Sequence, residues 1–97
     1  MLESTFQNEI LKPRLKDLFP GCTILKNDPN MIQGIPDLTV MYHDRYAILE
    51  VKKSKRASHQ PNQDFYIDKF NNEAFGAFIY PENMEEVLTE LSYYFTH

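Results

Sequence analysis

Two apolar runs, Leu38 to Tyr42 and Tyr46 to Val51, flank the short polar break His43-Asp44. β-Branched and aromatic residues on both sides of such a break predict a β-hairpin. If His43 and Asp44 are the two turn residues, Tyr42 faces Arg45. Counting outward then places Asp37 directly opposite Glu50. Directly opposed residues of an antiparallel pair project to one face, with Cβ atoms about 4.5–5.5 Å apart. Lys52 lies two residues beyond Glu50 and shares that face. The hairpin would therefore gather two carboxylates and one ammonium at its open end. Opposed like charges destabilise a sheet unless something compensates them, and a divalent cation is the simplest compensation. The inference holds only without a bulge or longer turn, either of which would break the register, and an arbitrary Glu-x-Lys is usually no more than a solvated surface pair.

The other elements follow from periodicity and breakers. Residues 3–19 carry Phe6, Ile10, Leu11, Leu15 and Leu18 at helical spacing. Pro13 is expected to kink this helix or split it in two, Ser4 with Gln7 has capping-box spacing, and Pro20-Gly21 ends the segment. Residues 22–26 predict a short strand with Cys22 as a buried strand residue. A loop over residues 27–34 then leads into Pro36-Asp37, and Lys26 and Asn27 are expected near the mouth of the site. After the polar residues 53–60, Pro61 suits a first helical position, opening a helix to about Asn72. Residues 75–80 predict a buried strand, where Gly76 permits close backbone approach. Asn83 with Glu86 suggests the capped start of a last helix, whose apolar stripe is Met84, Val87, Leu88, Leu91 and Tyr94 or Phe95. The expected fold is α/β (mixed α+β), in the order α-β-β-β-α-β-α, with one four-stranded mixed sheet flanked by helices.

Gly34-Ile35-Pro36-Asp37 followed by Glu50-Val51-Lys52 resembles the PD-(D/E)XK nuclease core, and more narrowly the small VRR-NUC type found in phages. Gln60-Pro61-Asn62-Gln63 is similar to that family's Pro-x-Gln at the start of the next helix. The resemblance runs from about Phe6 to Leu91. It implies the αβββαβα restriction-endonuclease-like core and a DNA-cleaving activity that uses Mg²⁺, with Mn²⁺ expected to substitute. Asp37, Glu50 and the Val51 carbonyl would be the metal ligands, and Lys52 and Gln63 would be catalytic. Glu3 stands where related nucleases carry an early glutamate that reaches the metal, with Gln7 and Glu9 as weaker candidates. As a plain residue, Glu3 reads equally well as a first-turn acid favouring the helix dipole. Small nucleases of this kind resemble Holliday-junction resolvases, so branched DNA and a homodimer are the expected partners.

Length and charge bound these readings. The chain has 97 residues, enough for one domain, 1–97, with a modest core. One cysteine leaves no intramolecular disulfide and no cysteine pair for zinc. No apolar run approaches the ~20 residues of a membrane span and no signal peptide is visible, so a reducing cytoplasm is expected, the host's if the chain is phage-encoded. The net charge of −4 does not suit a simple nucleic-acid coat. Its distribution is more informative. Lys52, Lys53, Lys55 and Arg56 crowd the exit of the second hairpin strand, whereas the last helix carries Glu85, Glu86 and Glu90 and no Lys or Arg. Lys53, Lys55 and Arg56 are expected to hold phosphates, with Lys26 and His59 as further contacts. Outside nuclease chemistry, the alternatives are a catalytically silent DNA-binding or packaging module, or a structural interaction protein with merely superficial carboxylates.

Overall fold

The hairpin closes in the expected register. A computed structural model describes all 97 residues, Met1–His97. In it β2 (Leu38–Tyr42) pairs antiparallel with β3 (Arg45–Val51), from Tyr42 opposite Arg45 to Leu38 opposite Leu49. His43 supplies the left-handed backbone of the turn, with φ 56°. β1 (Thr23–Lys26) adds antiparallel to β2, and β4 (Gly76–Ile79) adds parallel to β3, giving the sheet order β1-β2-β3-β4. Three helical segments complete the chain: residues 3–18 (α1), Gln63–Glu73 (α2) and Met84–Thr96 (α3). The order is α-β-β-β-α-β-α, and the sheet is mixed, as expected. No helix is long and apolar enough to cross a membrane.

Strand alternation divides the sheet into two faces. Leu38, Val40, Ala47, Leu49, Val51 and Ile79 point to one face and are fully buried. They form one hydrophobic core with Phe6, Leu11 and Leu15 of α1 and with Val87, Leu88, Leu91 and Phe95 of α3. The opposite face carries Ile48, Glu50 and Lys52, all buried. It is covered by α2, which packs against β3 and β4.

Local details differ from the sequence reading, each for a physical reason. The first helix is not split at Pro13. Residues Phe6–Leu11 open into a π-helical turn, in which the Lys12 N–H donates to the Gln7 carbonyl. Proline lacks an N–H and crowds the carbonyl four residues back, and the wider turn just before Pro13 accommodates both. No capping box forms with Ser4: the cap position is Leu2, without a side-chain cap, and Gln7 is buried and engaged elsewhere. Cys22 lies just before β1 and is only half-buried. Its thiol faces the Leu15 carbonyl, and burial pushes its pKa up. Pro61 is not the first residue of α2, because Asn62 takes a left-handed φ of 74° and the helix starts at Gln63. Asn83 is the cap residue of α3, but its side chain binds the preceding turn instead, accepting from the Tyr80 N–H and donating to the Phe78 carbonyl.

Gly76 is where β4 meets α2. A Cβ there would lie 2.7 Å from the Ile67 carbonyl oxygen and 2.9 Å from the Asn71 nitrogen, both backbone. Gly76→Ala should destabilise the fold by about 1–3 kcal/mol, the usual range for forced overpacking. Urea unfolding checks this: the midpoint should fall with an unchanged m-value. An unchanged midpoint would mean that the helix can stand off from β4 without cost.

Candidate active site

Asp37 sits one residue before β2, and Glu50 is the penultimate residue of β3. The ladder between these strands ends at Leu38 and Leu49, and the two acids continue it with their side chains. The Asp37 N–H donates to Glu50 Oε1 at 3.1 Å, and the Val51 N–H donates to Asp37 Oδ2 at 3.0 Å. Each carboxylate thus accepts a backbone N–H from the strand end that carries the other. Asn27 holds the outer side of this segment. Its N–H donates to the Asp37 carbonyl at 2.8 Å, and its side-chain amide donates to the Pro36 carbonyl at 2.8 Å.

The remaining Glu50 oxygen belongs to a second set of contacts. Gln63 Nε2 donates to Glu50 Oε2 at 2.9 Å, while Gln63 Oε1 accepts from Lys52 Nζ at 2.7 Å and from the Gln60 N–H at 2.8 Å. The two donors facing Oε1 fix the orientation of this amide. Lys52 Nζ also donates to the Ser58 carbonyl at 3.0 Å and lies 3.7 Å from Glu50 Oε2. Glu50 and Lys52 are 4% and 8% exposed, so this ion pair is withdrawn from water. The first turn of α2 reaches the hairpin because Gly34, at φ 87°, lets the loop before Asp37 press on Asn62. A Cβ at Gly34 would lie 2.5 Å from the Asn62 Cβ.

Burial is the main cause of a raised Glu50 pKa, about 7, with the Asp37 charge adding to it. Lys52 and the Asp37 N–H oppose the shift, and the more distant Glu3 reinforces it. No group of three or more His, Cys, Asp and Glu side chains is arranged as a metal site. The candidate donors are two carboxylates and the adjoining Val51 peptide. That donor set fits a hard cation such as Mg²⁺, which takes one or two carboxylates and keeps several waters. It does not fit zinc, which favours nitrogen and sulfur ligands.

The other candidates are placed as follows. Asp37, Glu50, Val51, Lys52 and Gln63 come together in one cluster. Lys26 joins its rim, with Nζ 3.5 Å from Asp37 Oδ1 and donating to Gln7 Oε1 at 3.5 Å. Glu3 lines the same groove as Asp37, and also the neighbouring groove with Lys52, Lys53 and Arg56. Glu9 is exposed and lines neither. Lys55 and His59 share a different depression with Glu86 and Glu90. There the His59 ring stacks on Phe78 at 4.0 Å, and its Nδ1 lies 3.0 Å from Asp64. The Ser58 carbonyl and Lys12, which lines the groove of Glu3 and Asp37, carried no signal in the sequence. Gln7, one of the weaker candidates beside Glu3, lines the groove of Glu3 and Asp37 and accepts from Lys26. Comparison with family models, with curated proteins and with solved structures finds no match to this chain.

The raised Glu50 pKa has a consequence for stability. A carboxyl whose folded pKa exceeds its unfolded value binds its proton more tightly in the fold. The resulting stabilisation is complete below the unfolded value, near 4.5, and is lost as pH rises to about 7. Without divalent cations, the urea midpoint should therefore fall between pH 4.5 and 7 relative to that of Glu50→Gln, then level off. A constant difference between the two proteins over that window would show that the carboxyl titrates normally.

Proposed function

We propose that this chain is a metal-dependent nuclease that hydrolyses DNA phosphodiester bonds, using Mg²⁺ with Mn²⁺ able to substitute. The observation that carries this reading is the convergence of Asp37, Glu50, Lys52 and Gln63 on one hydrogen-bonded polar cluster, with Glu50 and Lys52 buried and Asp37 and Gln63 half-buried, at the rim of a solvent-open groove. Asp37 and Glu50 would hold the cation, with the Val51 carbonyl as the backbone ligand. When bound, the cation supplies an activated water and charge stabilisation at the phosphate.

The chain's own residues position and balance charge. The bonds from the Asp37 N–H to Glu50 and from the Val51 N–H to Asp37 fix the spacing of the two carboxylates before any substrate arrives. Gln63 holds one oxygen of Glu50, so this carboxylate does not have to reorganise during the reaction. Lys52 keeps a fixed positive charge beside Glu50, able to offset negative charge that develops on the phosphate. Lys53 and Arg56 would hold the DNA backbone without reading sequence. Branched DNA is the favoured substrate and a homodimer the favoured assembly, because the twofold symmetry of a four-way junction matches a twofold pair of sites. We read the activity as a cytoplasmic one, in the host's cytoplasm if the chain is phage-encoded.

Incubation with supercoiled, linear and four-way-junction DNA, with and without Mg²⁺ or Mn²⁺, tests the reading. The parent should cleave only with the cation. Glu50→Gln should lose cleavage while retaining DNA binding, since the basic residues are untouched. Parent-rate cleavage by Glu50→Gln in Mg²⁺ would remove Glu50 from the metal site. DNA retention gives a separate check. Changing Lys53 and Arg56 to Ala should flatten the salt dependence of binding by about 2 log–log units, from about 0.9 per phosphate contact on duplex DNA. Lys55→Ala should change it less, because Lys55 lines a different depression together with Glu86 and Glu90. An unchanged slope in the double variant would put the DNA path elsewhere.

A further inference from the structure

The cations of this fold divide by whether an acid answers them. Arg14, Lys26, Lys52 and Lys69 each pair with a carboxylate. Lys12, Lys16, Arg45, Lys53, Lys55 and Arg56 have no such partner, although acids outnumber bases 14 to 10 in the chain; those beside the carboxylate site are Lys12, Lys53 and Arg56. These three line two solvent-open grooves that meet at Glu3. One groove is lined by seven residues, among them Glu3, Ser4, Asn8, Lys12, Lys26 and Asp37, and no hydrophobic side chain enters it. The other carries Glu3, Lys52, Lys53 and Arg56. The carboxylate site thus has unpaired cations on both flanks, and only the Lys53 and Arg56 flank was visible as a charge run in the sequence.

The flank on α1 is organised for a phosphate chain. Ser4, Asn8 and Lys12 recur every four residues, and together they line one groove. They offer a hydroxyl, an amide and an ammonium, which are donor types that commonly bind phosphate oxygens. Lys26 stands beside them. Its contacts to Asp37 and Gln7 are both long, at 3.5 Å, and its side chain is 54% exposed. An exposed pair of this kind contributes little to stability, so Lys26 can exchange Asp37 for a phosphate at little cost. A groove without apolar lining suits a hydrated polyanion better than a hydrophobic ligand. Holding a strand on both sides of the reacting phosphate also constrains its orientation, whereas one flank alone leaves it free to swing.

We propose that Lys12 and Lys26, with Ser4 and Asn8, form a second phosphate-binding bank, so that a DNA strand crosses from this bank to Lys53 and Arg56 with the phosphate to be cleaved over Asp37 and Glu50. This rests on the nuclease reading above and adds to it the path of the strand and a role for Lys12.

The test is fluorescence anisotropy with a labelled four-way junction, in Ca²⁺ to limit cleavage, over a series of salt concentrations. Lys12→Ala should lose about 0.9 of the log–log salt slope and bind roughly five- to tenfold more weakly at 0.1 M salt. Lys12→Arg, which keeps the charge, should retain the parent slope. Lys16→Ala, an exposed cation on the same helix outside both grooves, should bind as the parent does. If Lys12→Ala binds with the parent slope and affinity, the second bank is overturned. The nuclease reading then still stands, provided the parent cleaves and the Lys53 and Arg56 variant weakens. Equal losses in Lys12→Ala and Lys12→Arg would overturn the phosphate role of the charge. A parent that neither binds DNA in Ca²⁺ nor cleaves it in Mg²⁺ overturns both readings together.

Discussion

The pair of hydrogen bonds that ties Asp37 to Glu50 and Val51 is the constraint on which the site depends. A β-ladder that simply stopped at Leu38 and Leu49 would leave the Asp37 and Val51 N–H groups in need of acceptors near the buried end of the sheet. Each finds one in the carboxylate of the facing strand. The acids therefore terminate the hairpin as well as lining the groove. Their separation is set by backbone geometry, which is stiffer than any arrangement of long side chains on loops.

This termination draws charge into the fold, and the rest of the site offsets the cost. Removing an ion from water costs several kcal/mol even after relaxation, and attraction to a partner repays it only when the remaining polar atoms are also satisfied. Gln63, Ser58 and Gln60 provide that satisfaction, and no buried side-chain nitrogen or oxygen lacks a partner. Burial and Asp37 still leave the Glu50 carboxyl with a pKa of about 7. A site that disfavours a lone carboxylate favours one held against a cation, because a bound cation is the largest local charge and reverses the balance.

The parts of this arrangement that were legible in the sequence are those set by short-range rules. His43-Asp44 fixed the hairpin register, which brought Asp37 opposite Glu50 and Lys52 onto their face. Helical periodicity identified the buried stripe of α3 from Val87 to Phe95. Legibility failed where a tertiary contact overrode a local signal. Gln7 has the spacing of a capping partner for Ser4, but it serves Lys26 instead, one strand away. Pro61 has the chemistry of a first helical residue, yet the close approach of Gly34 to Asn62 accompanies a left-handed residue that delays the helix to Gln63. The four cations between Lys52 and Arg56 look like one patch in sequence. Folding buries Lys52, turns Lys53 and Arg56 to the groove and sends Lys55 to another depression.

Under the proposed nuclease reading, that partition would let a chain of net charge −4 offer a path for a polyanion. Salt screens exposed charges beyond a Debye length of about 8–10 Å, so the local lining of a groove matters more than the total. The acids of α3 that are not tied to Arg14, namely Glu86 and Glu90, line the depression of Lys55 and His59, and the Glu82 carboxylate accepts the Lys55 N–H. In the two grooves that meet at Glu3, the only acids are Glu3 and Asp37, both at the carboxylate site itself. The surrounding cations, Lys12, Lys26, Lys53 and Arg56, stand to either side of it. Negative charge is therefore concentrated where a cation would bind and positive charge where phosphates would flank it. The sheet imposes this separation by placing the end of β3, the end of β1 and the helix α1 around one point.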